Sequence, residues 1–596
     1  MCGIFGCIGE IDRKKAWECI ERIQHRGPDA MCVEELQGVT LAHTRLSIID
    51  VSEQANQPFC SEDKRYWIVF NGEIYNFVEI RKELELLGHK FRTQSDTEVV
   101  LHAYLQWGDS FQKKCNGMWA IAIWDDYEKQ MFFSRDRFGV KPLYWHKNGE
   151  NFFFASEMKA FLPIMKKRKM NSNLFYPYKE FGYETTEECV FEDVKRIQPG
   201  HCAIYRNGEL HINRWWSTLD NLMEVPEEYE EQVEYLRELF LDAVKIRMRS
   251  DVPIGTALSG GLDSSSIVGT IHHLMSKGGE QRFCHDWQNA FVASMQGSFN
   301  DETKWAQMAA EHIGIDVKQV MVHAPLSAEE LMRYIYMSEE PYNTALIPHF
   351  QIYEGIRENG IKVTIDGLGA DEIFAGYPFD ITRVIGRGDF SEQELWCLFE
   401  AYNNVALKEN RLSLQDMKNM VGKGTFYYSQ EKIMAEKGLD VMNQILYYET
   451  HEYTMPTILR TADRFSMASG VEARYPFLDY RIVGFAFSIP WTSKIRNGYT
   501  KAIERDMARP YMAESIIDRK DKIGFNDPLP MWFKGPLKEF LLDTVHSKDF
   551  IECGLVNSLE ATVAIHEYVD GEDNTLGAAH MLWKYIGPYL WKKVMI

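Results

Sequence analysis

One stretch of the chain, residues 257–266, combines residue types that bind phosphate: Ala-Leu-Ser-Gly-Gly-Leu-Asp-Ser-Ser-Ser. Apolar residues on both sides predict a short buried strand over 252–256 and an apolar helix over 267–274. Adjacent glycines let the backbone approach a ligand closely, and unpaired N–H groups at a helix N-terminus bind anions. The spacing therefore predicts a phosphate-binding turn between a strand and a helix.

The side chains of this turn indicate how a phosphate would be held. The hydroxyls of Ser259, Ser264 and Ser265 can donate hydrogen bonds, whereas the lysine of a Walker loop is missing. Asp263 could instead hold Mg²⁺ against the phosphate oxygens. For two glycines alone, a serine-capped turn without a ligand is the simpler interpretation, but the whole run is more specific.

A second candidate for chemistry is Cys2. Removal of Met1 would leave Cys2 with a free α-amino group, whose pKa is about 7.7 to 8, beside its own thiol. A thiol next to an amine is a nucleophile with a built-in base. Further polar residues lie at the ends of predicted strands, where the fold does not require them. They are His25 to Asp29, Arg45, Asn71-Gly72-Glu73 and Ser95-Asp96.

The composition narrows the class of protein. A chain of 596 residues is too long for one hydrophobic core and predicts two or three domains. A formal net charge of −21 argues against nucleic acid or an anionic membrane as a partner. The 11 cysteines form no CxxC pair, and no apolar run approaches the roughly 18 residues of a membrane span. We therefore expect a cytoplasmic protein with reduced thiols.

Apolar alternation in the first 210 positions predicts stacked antiparallel sheets. The strand-like runs are joined by short polar turns and cover residues 39–50, 66–75, 118–125, 130–133 and 152–155. Two helices are predicted, over 79–87 and 97–107.

Residues 2 to about 210 resemble the class II glutamine amidotransferase domain, an N-terminal-nucleophile hydrolase with an αββα sandwich. The matching motifs are Cys-Gly-Ile-Phe-Gly at 2–6, His-Arg-Gly-Pro-Asp at 25–29, Thr-Arg-Leu-Ser-Ile at 44–48, Asn-Gly-Glu-Ile-Tyr-Asn at 71–76 and Ser-Asp-Thr-Glu at 95–98.

This resemblance implies a role for each polar group. Cys2 would attack the side-chain amide of glutamine, and Asn71 with the Gly72 N–H would form the oxyanion hole. Arg45 would grip the α-carboxylate of glutamine, whereas Asp96 and Glu73 would face its α-ammonium. Alone, Arg45 and Asp96 would be interpreted as a surface salt bridge.

A polar segment near 215–225 divides the chain, and we predict domains over 2–215 and 226–596. A helix is expected from Pro226 to Arg249. Strands and helices then alternate, which predicts a doubly wound parallel sheet. The predicted strands cover 290–295, 317–322 and 361–365, and the helices 302–313, 328–338 and 347–359. Beyond Tyr377 the chain is mainly helical, over 392–408, 414–420 and 436–464.

A second glycine turn, Asp366-Gly367-Leu368-Gly369-Ala370-Asp371-Glu372, follows the predicted strand 361–365. Ligands of such sheets lie at the carboxyl ends of strands, where both glycine turns fall. Asp263 and Asp371 could jointly hold Mg²⁺, although Asp371 could equally cap the next helix. Residues 460–479 form a turn dense in charge and small residues, and the cations of residues 519–525 could serve an adenylate and pyrophosphate.

The second half resembles the synthetase domain of glutamine-hydrolysing asparagine synthetase, so the resemblance covers nearly the whole chain. In that family ATP activates the aspartate side-chain carboxylate as an acyl-adenylate, and ammonia from the glutaminase site displaces AMP. Glutamine, ATP and L-aspartate are thus the implied substrates, Mg²⁺ the implied metal and a homodimer a possible assembly. The implied site residues are Leu258, Ser259, Gly260, Gly261, Asp263, Ser264 and Ser265 for pyrophosphate and metal, Gly367 against the nucleotide, Asp371 for metal or substrate, and Lys522 for phosphate charge.

The resemblance departs from the family pattern at the second glycine turn. The family carries Ser-Gly-Glu-Gly-Ala-Asp-Glu, and here Leu368 stands in place of the glutamate. Leucine can neither accept a proton nor form a hydrogen bond, so amidation of another carboxylate, such as a surface-polysaccharide sugar acid, is the alternative. An intramolecular reaction like that of β-lactam synthetases, or a non-catalytic role, would leave the motifs around Cys2 without a use.

Overall fold

The computed structural model of the chain describes residues 2–175, 186–278, 282–342, 344, 346–424 and 426–596. In its first half, two antiparallel sheets have the strand orders β10-β8-β9-β1-β3-β2 and β12-β11-β7-β6-β5-β4. The strands are β1 (Gly3–Ile8), β2 (Ala30–Leu36), β3 (Val39–Arg45), β4 (Phe59–Cys60), β5 (Tyr66–Ile74), β6 (Gly117–Asp125), β7 (Gln130–Arg135), β8 (Tyr144–Asn148), β9 (Asn151–Ala155), β10 (Val194–Arg196), β11 (His201–Arg206) and β12 (Glu209–Arg214). The helices of this half are α1 (Arg13–Glu21), α2 (Phe77–Leu86), α3 (Asp96–Trp107) and α4 (Ser172–Phe175).

These two sheets stack face to face. Their alternating apolar residues interdigitate in one core, to which Ile4, Val69, Ala122, Phe133 and Phe154 contribute. Helix α1 packs outside the first sheet, and α3 packs outside the second sheet on β5. The predicted αββα sandwich is therefore confirmed.

A parallel sheet organises the second half, with the strand order β15-β14-β13-β16-β17. It comprises β13 (Ile254–Ala257), β14 (Asn289–Ser294), β15 (Val317–Met321), β16 (Val363–Ile365) and β17 (Glu472–Arg474). The strand order reverses on either side of β13, so the switch point lies between β13 and β16, as in doubly wound sheets. The helices of this region are α5 (Tyr229–Arg247), α6 (Leu262–Ser276), α7 (Thr303–Ile313), α8 (Ala328–Ser338), α9 (Ile347–Glu358) and α10 (Ala370–Phe374).

The rest of the second half is helical, as predicted. Its helices are α11 (Pro378–Arg387), α12 (Glu392–Val405), α13 (Leu414–Met420), α14 (Glu431–Glu436), α15 (Val441–His451), α16 (Thr454–Ala468), α17 (Tyr480–Ser488), α18 (Trp491–Lys494), α19 (Ala502–Ala508), α20 (Glu514–Ile517), α21 (Leu529–Lys534), α22 (Lys538–His546), α23 (Lys548–Ile551), α24 (Ser558–Asp570) and α25 (Leu576–Met595). Among the described residues, no helix has the length and apolarity needed to span a membrane.

Two predictions for the helical region are wrong. The single helix expected over 436–464 is interrupted after His451, and α16 starts anew at Thr454. Pro456 accounts for the break, because proline fits the first turn of a helix, whereas in the interior it removes a backbone hydrogen bond and kinks or breaks the helix. The charged turn expected over 460–479 instead comprises the end of α16 and strand β17.

Buried ion pairs join the two halves of the chain. Arg26, which follows α1, donates two hydrogen bonds to Asp463 of α16, at 2.7 and 3.0 Å, and one of 2.6 Å to Glu157. Lys141 Nζ lies 3.2 Å from the same Asp463 carboxylate. All four side chains are at most 1% exposed. Buried charges of this kind are stable only while they stay paired.

Removal of one member of this network should therefore be costly. Asp463→Ala leaves Arg26 and Lys141 partly uncompensated in a buried site, and we expect it to lower the free energy of unfolding by about 3–5 kcal/mol. Asp570→Ala is the matched control, because Asp570 pairs with Lys538 at the same 3.2 Å but is 66% exposed. We expect a loss of about 0–1 kcal/mol there. Denaturant midpoints compare the two variants, and equal losses would contradict the interpretation.

Candidate active sites

Most of the residues predicted to act with Cys2 meet around one cavity, here called the Cys2 cavity. Its reactive and charged lining residues are Cys2, Arg45, Glu73, Asp96 and Glu472. Cys2 immediately precedes β1, Arg45 ends β3, Glu73 lies near the end of β5 and Asp96 begins α3. The ends of strands from both sheets thus bring together residues that are far apart in the sequence.

An amide side chain lies beside Cys2. Asn71 is fully buried, and its Oδ1 accepts a 3.2 Å hydrogen bond from Cys2 N. At Gly72 a Cβ atom would lie 2.2 Å from Met118 O, so only glycine fits there. Burial raises the pKa of the Cys2 thiol. This thiol therefore needs a nearby base; Met1, whose removal would free the α-amine, lies outside the described residues.

Arg45 provides the fixed cation of the cavity. Its guanidinium donates hydrogen bonds of 2.6 Å to Ser52 O and to Asn56 Oδ1, and it also contacts Asp50 O. Three oxygen acceptors hold the guanidinium without a carboxylate partner among these contacts. Its positive charge therefore remains available for an anionic ligand group.

Glu73 and Asp96 form the acidic side of the cavity. Burial raises the pKa of Glu73, and the neighbouring Asp96 carboxylate raises it further. Burial also raises the pKa of Asp96, even though Asp96 Oδ2 accepts a 3.1 Å hydrogen bond from Ile74 N. Glu73 Oε1 is buried without a hydrogen-bond partner. A cationic ligand group would relieve both effects.

The phosphate loop, residues 257–266, joins β13 to α6 at the switch point. Gly260 has φ +75°, and a Cβ atom there would lie 2.1 Å from the backbone of Trp305, so both conformation and space require glycine. Ser259 Oγ and Ser264 Oγ are 3.2 Å apart, and Ser265 Oγ is buried without a hydrogen-bond partner. Leu258 is fully buried in the core, so only its backbone could serve a ligand.

The second glycine loop, residues 366–372, lies directly against the phosphate loop. A Cβ atom at Gly367 would lie 2.8 Å from Asp263 Cβ and 2.9 Å from Ser264 N. Asp366 Oδ1 accepts a 3.1 Å hydrogen bond from Ala257 N, which fixes the two loops together. Leu368 is half-buried and packs against the hydrophobic core.

Asp263 and Asp371 face a shared cation between the two loops. Lys501 Nζ lies 2.6 Å from Asp263 Oδ1 and also contacts Asp371, whose other oxygen contacts Lys522. Burial favours a higher pKa for Asp371, but the two lysines outweigh it and hold that pKa below its usual range.

This arrangement suits Mg²⁺ that arrives with phosphates. Mg²⁺ in such sites usually takes one or two carboxylates together with substrate oxygens. Within the described ranges, no group of three or more histidine, cysteine or acidic side chains is arranged to hold a metal. Asp263 and Asp371, which both contact Lys501, would supply a pair of carboxylates to such an ion.

Sequence reasoning did not predict several residues of these sites. Lys501 and Glu504 lie around the start of α19, and the carboxylate oxygens of Glu504 are buried without hydrogen-bond partners. Glu472 lines the Cys2 cavity, and Arg474 lies 3.6 Å from Glu73. For Glu472 and Arg474, the dense charges among small residues at 460–479 suggested a functional segment. That pattern did not indicate that these residues contact the first half of the chain.

Cys2 at the start of an αββα sandwich, followed by a doubly wound sheet with two apposed glycine loops, is the arrangement of a glutamine-dependent amidotransferase. The family described as glutamine amidotransferase domain matches residues 1–216, and that described as asparagine synthase matches residues 235–583. The second match spans more than half of the chain, so the chain belongs to the asparagine synthase family.

Related proteins carry more than one kind of name. Asparagine synthetase [glutamine-hydrolyzing] 1 of Bacillus subtilis is 29% identical over 587 residues, covering 91% of this chain and 90% of that protein. Amidase chry2 of Gibberella zeae is 27% identical over 604 residues, covering 90% and 88%. A solved structure of glutamine phosphoribosylpyrophosphate amidotransferase from B. subtilis is 16% identical, and the match covers 54% of this chain and 81% of that protein. Its TM-score of 0.29 is too low to support an argument. Relationship alone leaves the acceptor open.

The acidic side of the Cys2 cavity predicts a pH dependence. A glutamine ammonium bound beside Glu73 and Asp96 would need both carboxylates ionised, and both have raised pKa values. The KM for glutamine should therefore rise as pH falls from about 8 to about 5. This change occurs at a higher pH than the titration of ordinary carboxyl groups, whose pKa is near 4. Steady-state glutaminase assays with kcat fitted separately measure this effect. A KM that stays constant down to about pH 5 would contradict it.

Proposed function

We propose that the chain transfers the amide nitrogen of glutamine to the side-chain carboxylate of L-aspartate, consuming ATP and forming asparagine, glutamate, AMP and pyrophosphate. The observation that supports this most is the pairing within one chain of two sites. One is the Cys2 cavity, with a cation and two carboxylates set for a zwitterion. The other is the apposed pair of glycine loops. Family membership agrees with this pairing.

In the first half-reaction, Cys2 Sγ attacks the amide carbon of glutamine. The α-amine freed by loss of Met1 accepts the thiol proton and returns it to the leaving ammonia. Asn71 and the Gly72 N–H stabilise the oxyanion, and each such donor is typically worth about 10²–10³ in rate. Water then cleaves the thioester and releases glutamate. Arg45 orients the glutamine α-carboxylate throughout.

In the second half-reaction, a carboxylate oxygen of aspartate attacks the α-phosphorus of ATP and pyrophosphate leaves. The N–H groups at the start of α6 and the hydroxyls of Ser259 and Ser264 bind the departing phosphates. Lys522 and Lys501 neutralise the charge that develops there. Mg²⁺ on Asp263 and Asp371 would add to that neutralisation. Ammonia then attacks the acyl carbon and AMP leaves.

A second acceptor class is favoured by one residue. Leu368 packs against the core, in the loop where asparagine synthetases carry a glutamate. This loop therefore lacks the carboxylate that asparagine synthetases carry, which is compatible with an acceptor other than aspartate, such as a sugar acid. Relatives named as amidases at 27% identity are compatible with other acceptors in the family.

Pyrophosphate release decides between the two acceptors. With ATP, Mg²⁺ and ammonium present, we expect added L-aspartate to trigger release, with asparagine and AMP formed in equal amounts. A panel of uronic acids, tested in parallel, represents the alternative. If aspartate gives no release in a preparation that still hydrolyses glutamine, the acceptor is another carboxylate.

Separate substitutions should disable each site alone. Cys2→Ala should abolish glutamine-dependent product but leave ammonia-dependent product unchanged, whereas Asp263→Ala should abolish pyrophosphate release but leave glutamine hydrolysis. The controls are Cys60→Ala and Asp286→Ala, which remove the same side chains outside both sites. Loss of both activities in Cys2→Ala would show that the nucleophile has been misassigned.

A further inference from the structure

One wall of the Cys2 cavity is formed by the second half of the chain. Glu472, on strand β17 of the parallel sheet, lines the cavity together with Cys2, Arg45 and Asp96. Its side chain is 1% exposed, so it is fixed within the interface between the halves. The Cys2 cavity, whose motifs all lie in the first half of the sequence, is therefore lined by residues of both halves.

Arg474 holds this wall in place. It lies two residues after Glu472, so both side chains leave the same face of β17. Arg474 Nε donates a 2.6 Å hydrogen bond to Glu472 Oε1, and its Nη1 donates to Arg247 O at 2.7 Å and to Arg249 O at 2.6 Å. Its Nη2 lies 3.6 Å from Glu73 Oε2, across the domain boundary. One rigid guanidinium therefore orients two carboxylates of the cavity.

Three carboxylates, those of Glu73, Asp96 and Glu472, line the acidic side of the cavity. The charge of Glu472 raises the pKa of both Glu73 and Asp96, so the three carboxylates act on the same space. Burial favours a higher pKa for Glu472, but the N-terminal amine and Arg474 outweigh it and hold that pKa below its usual range. An ammonium group of a ligand on this side would relieve the remaining repulsion among the three carboxylates.

We propose that Glu472 is a glutamine-binding residue supplied by the synthetase half, where it recognises the α-ammonium of glutamine, and that Arg474 is the positioning residue for Glu472 and Glu73. This inference rests on the proposed hydrolysis of glutamine at Cys2. It places part of the specificity for an α-amino acid amide outside residues 2–215.

Glu472→Gln tests the proposal in the full-length enzyme, with glutaminase kinetics measured without ATP. Loss of a charge-assisted contact should raise the KM for glutamine about 10- to 100-fold while kcat changes by less than about threefold. Glu472→Asp should restore part of the affinity. Glu340→Gln is the matched control, since Glu340 is an equally buried carboxylate, 2.7 Å from Arg460, that does not line the cavity.

A second substrate identifies the group that Glu472 recognises. Glutaramate, which is glutamine without its α-amino group, should be hydrolysed by wild type and Glu472→Gln with the same KM. Equal losses with both substrates, or a fall in kcat at constant KM, would overturn the proposal.

Ammonia-dependent pyrophosphate release should persist in Glu472→Gln. Its loss would mean that the substitution disrupts the synthetase half, and would overturn the specific role of Glu472 in binding glutamine. If wild type hydrolyses no glutamine, the proposed function itself fails. If wild type hydrolyses glutamine and Glu472→Gln matches it, this inference alone fails.

Discussion

The bidentate ion pair between Arg26 and Asp463 is a buried contact that holds the two halves of the molecule together. Arg26 also donates a 3.0 Å hydrogen bond from Nε to Cys2 O, so the backbone of Cys2 is tied to helix α16 of the second half. Separating charges this deeply buried is costly, because each would lose its partner without gaining water. The interface between the halves therefore also fixes the position of Cys2.

The second site depends on a different constraint, the contact between backbones at the switch point. β13 and β16 are neighbours in the sheet, so the loops that follow them emerge side by side. Gly367 allows the second loop to reach Asp263, and Gly260 allows the phosphate loop to pass the start of α7. Two carboxylates that are distant in sequence thereby come to share Lys501. Glycine at these positions is required by contact distances.

Much of this architecture could be predicted from the sequence, because local patterns encode it. Strand-like runs predicted the stacked antiparallel sheets, the family resemblance implied the αββα sandwich, and the alternation of strands and helices predicted the parallel sheet. The structure brings Cys2, Arg45, Glu73 and Asp96, which the family motifs associate, to one cavity. Their individual roles remain predictions, as does the division of the chain near 215–226.

What the sequence could not provide was any contact between its two halves. Glu472 and Arg474 sit on a strand of only three residues, too short for a periodic signal, within a run whose charges suggested a turn. Lys501 belongs to no recognisable motif, and it was not predicted because its contacts are with Asp263 and Asp371 on two other loops. The interruption at His451 was signalled by Pro456 but was masked by the apolar spacing on both sides.

Strand β17 also affects how such enzymes can be recombined. The carbonyl of Arg474 accepts a 2.9 Å hydrogen bond from Asp366 N, at the start of the second glycine loop, while its guanidinium reaches Glu73. A chimaera that joins residues 2–215 to the second half of a relative would exchange one wall of the Cys2 cavity without altering any of residues 2–215. A graft joined near residue 215 would therefore separate Glu472 from the residues of the first half that line the same cavity.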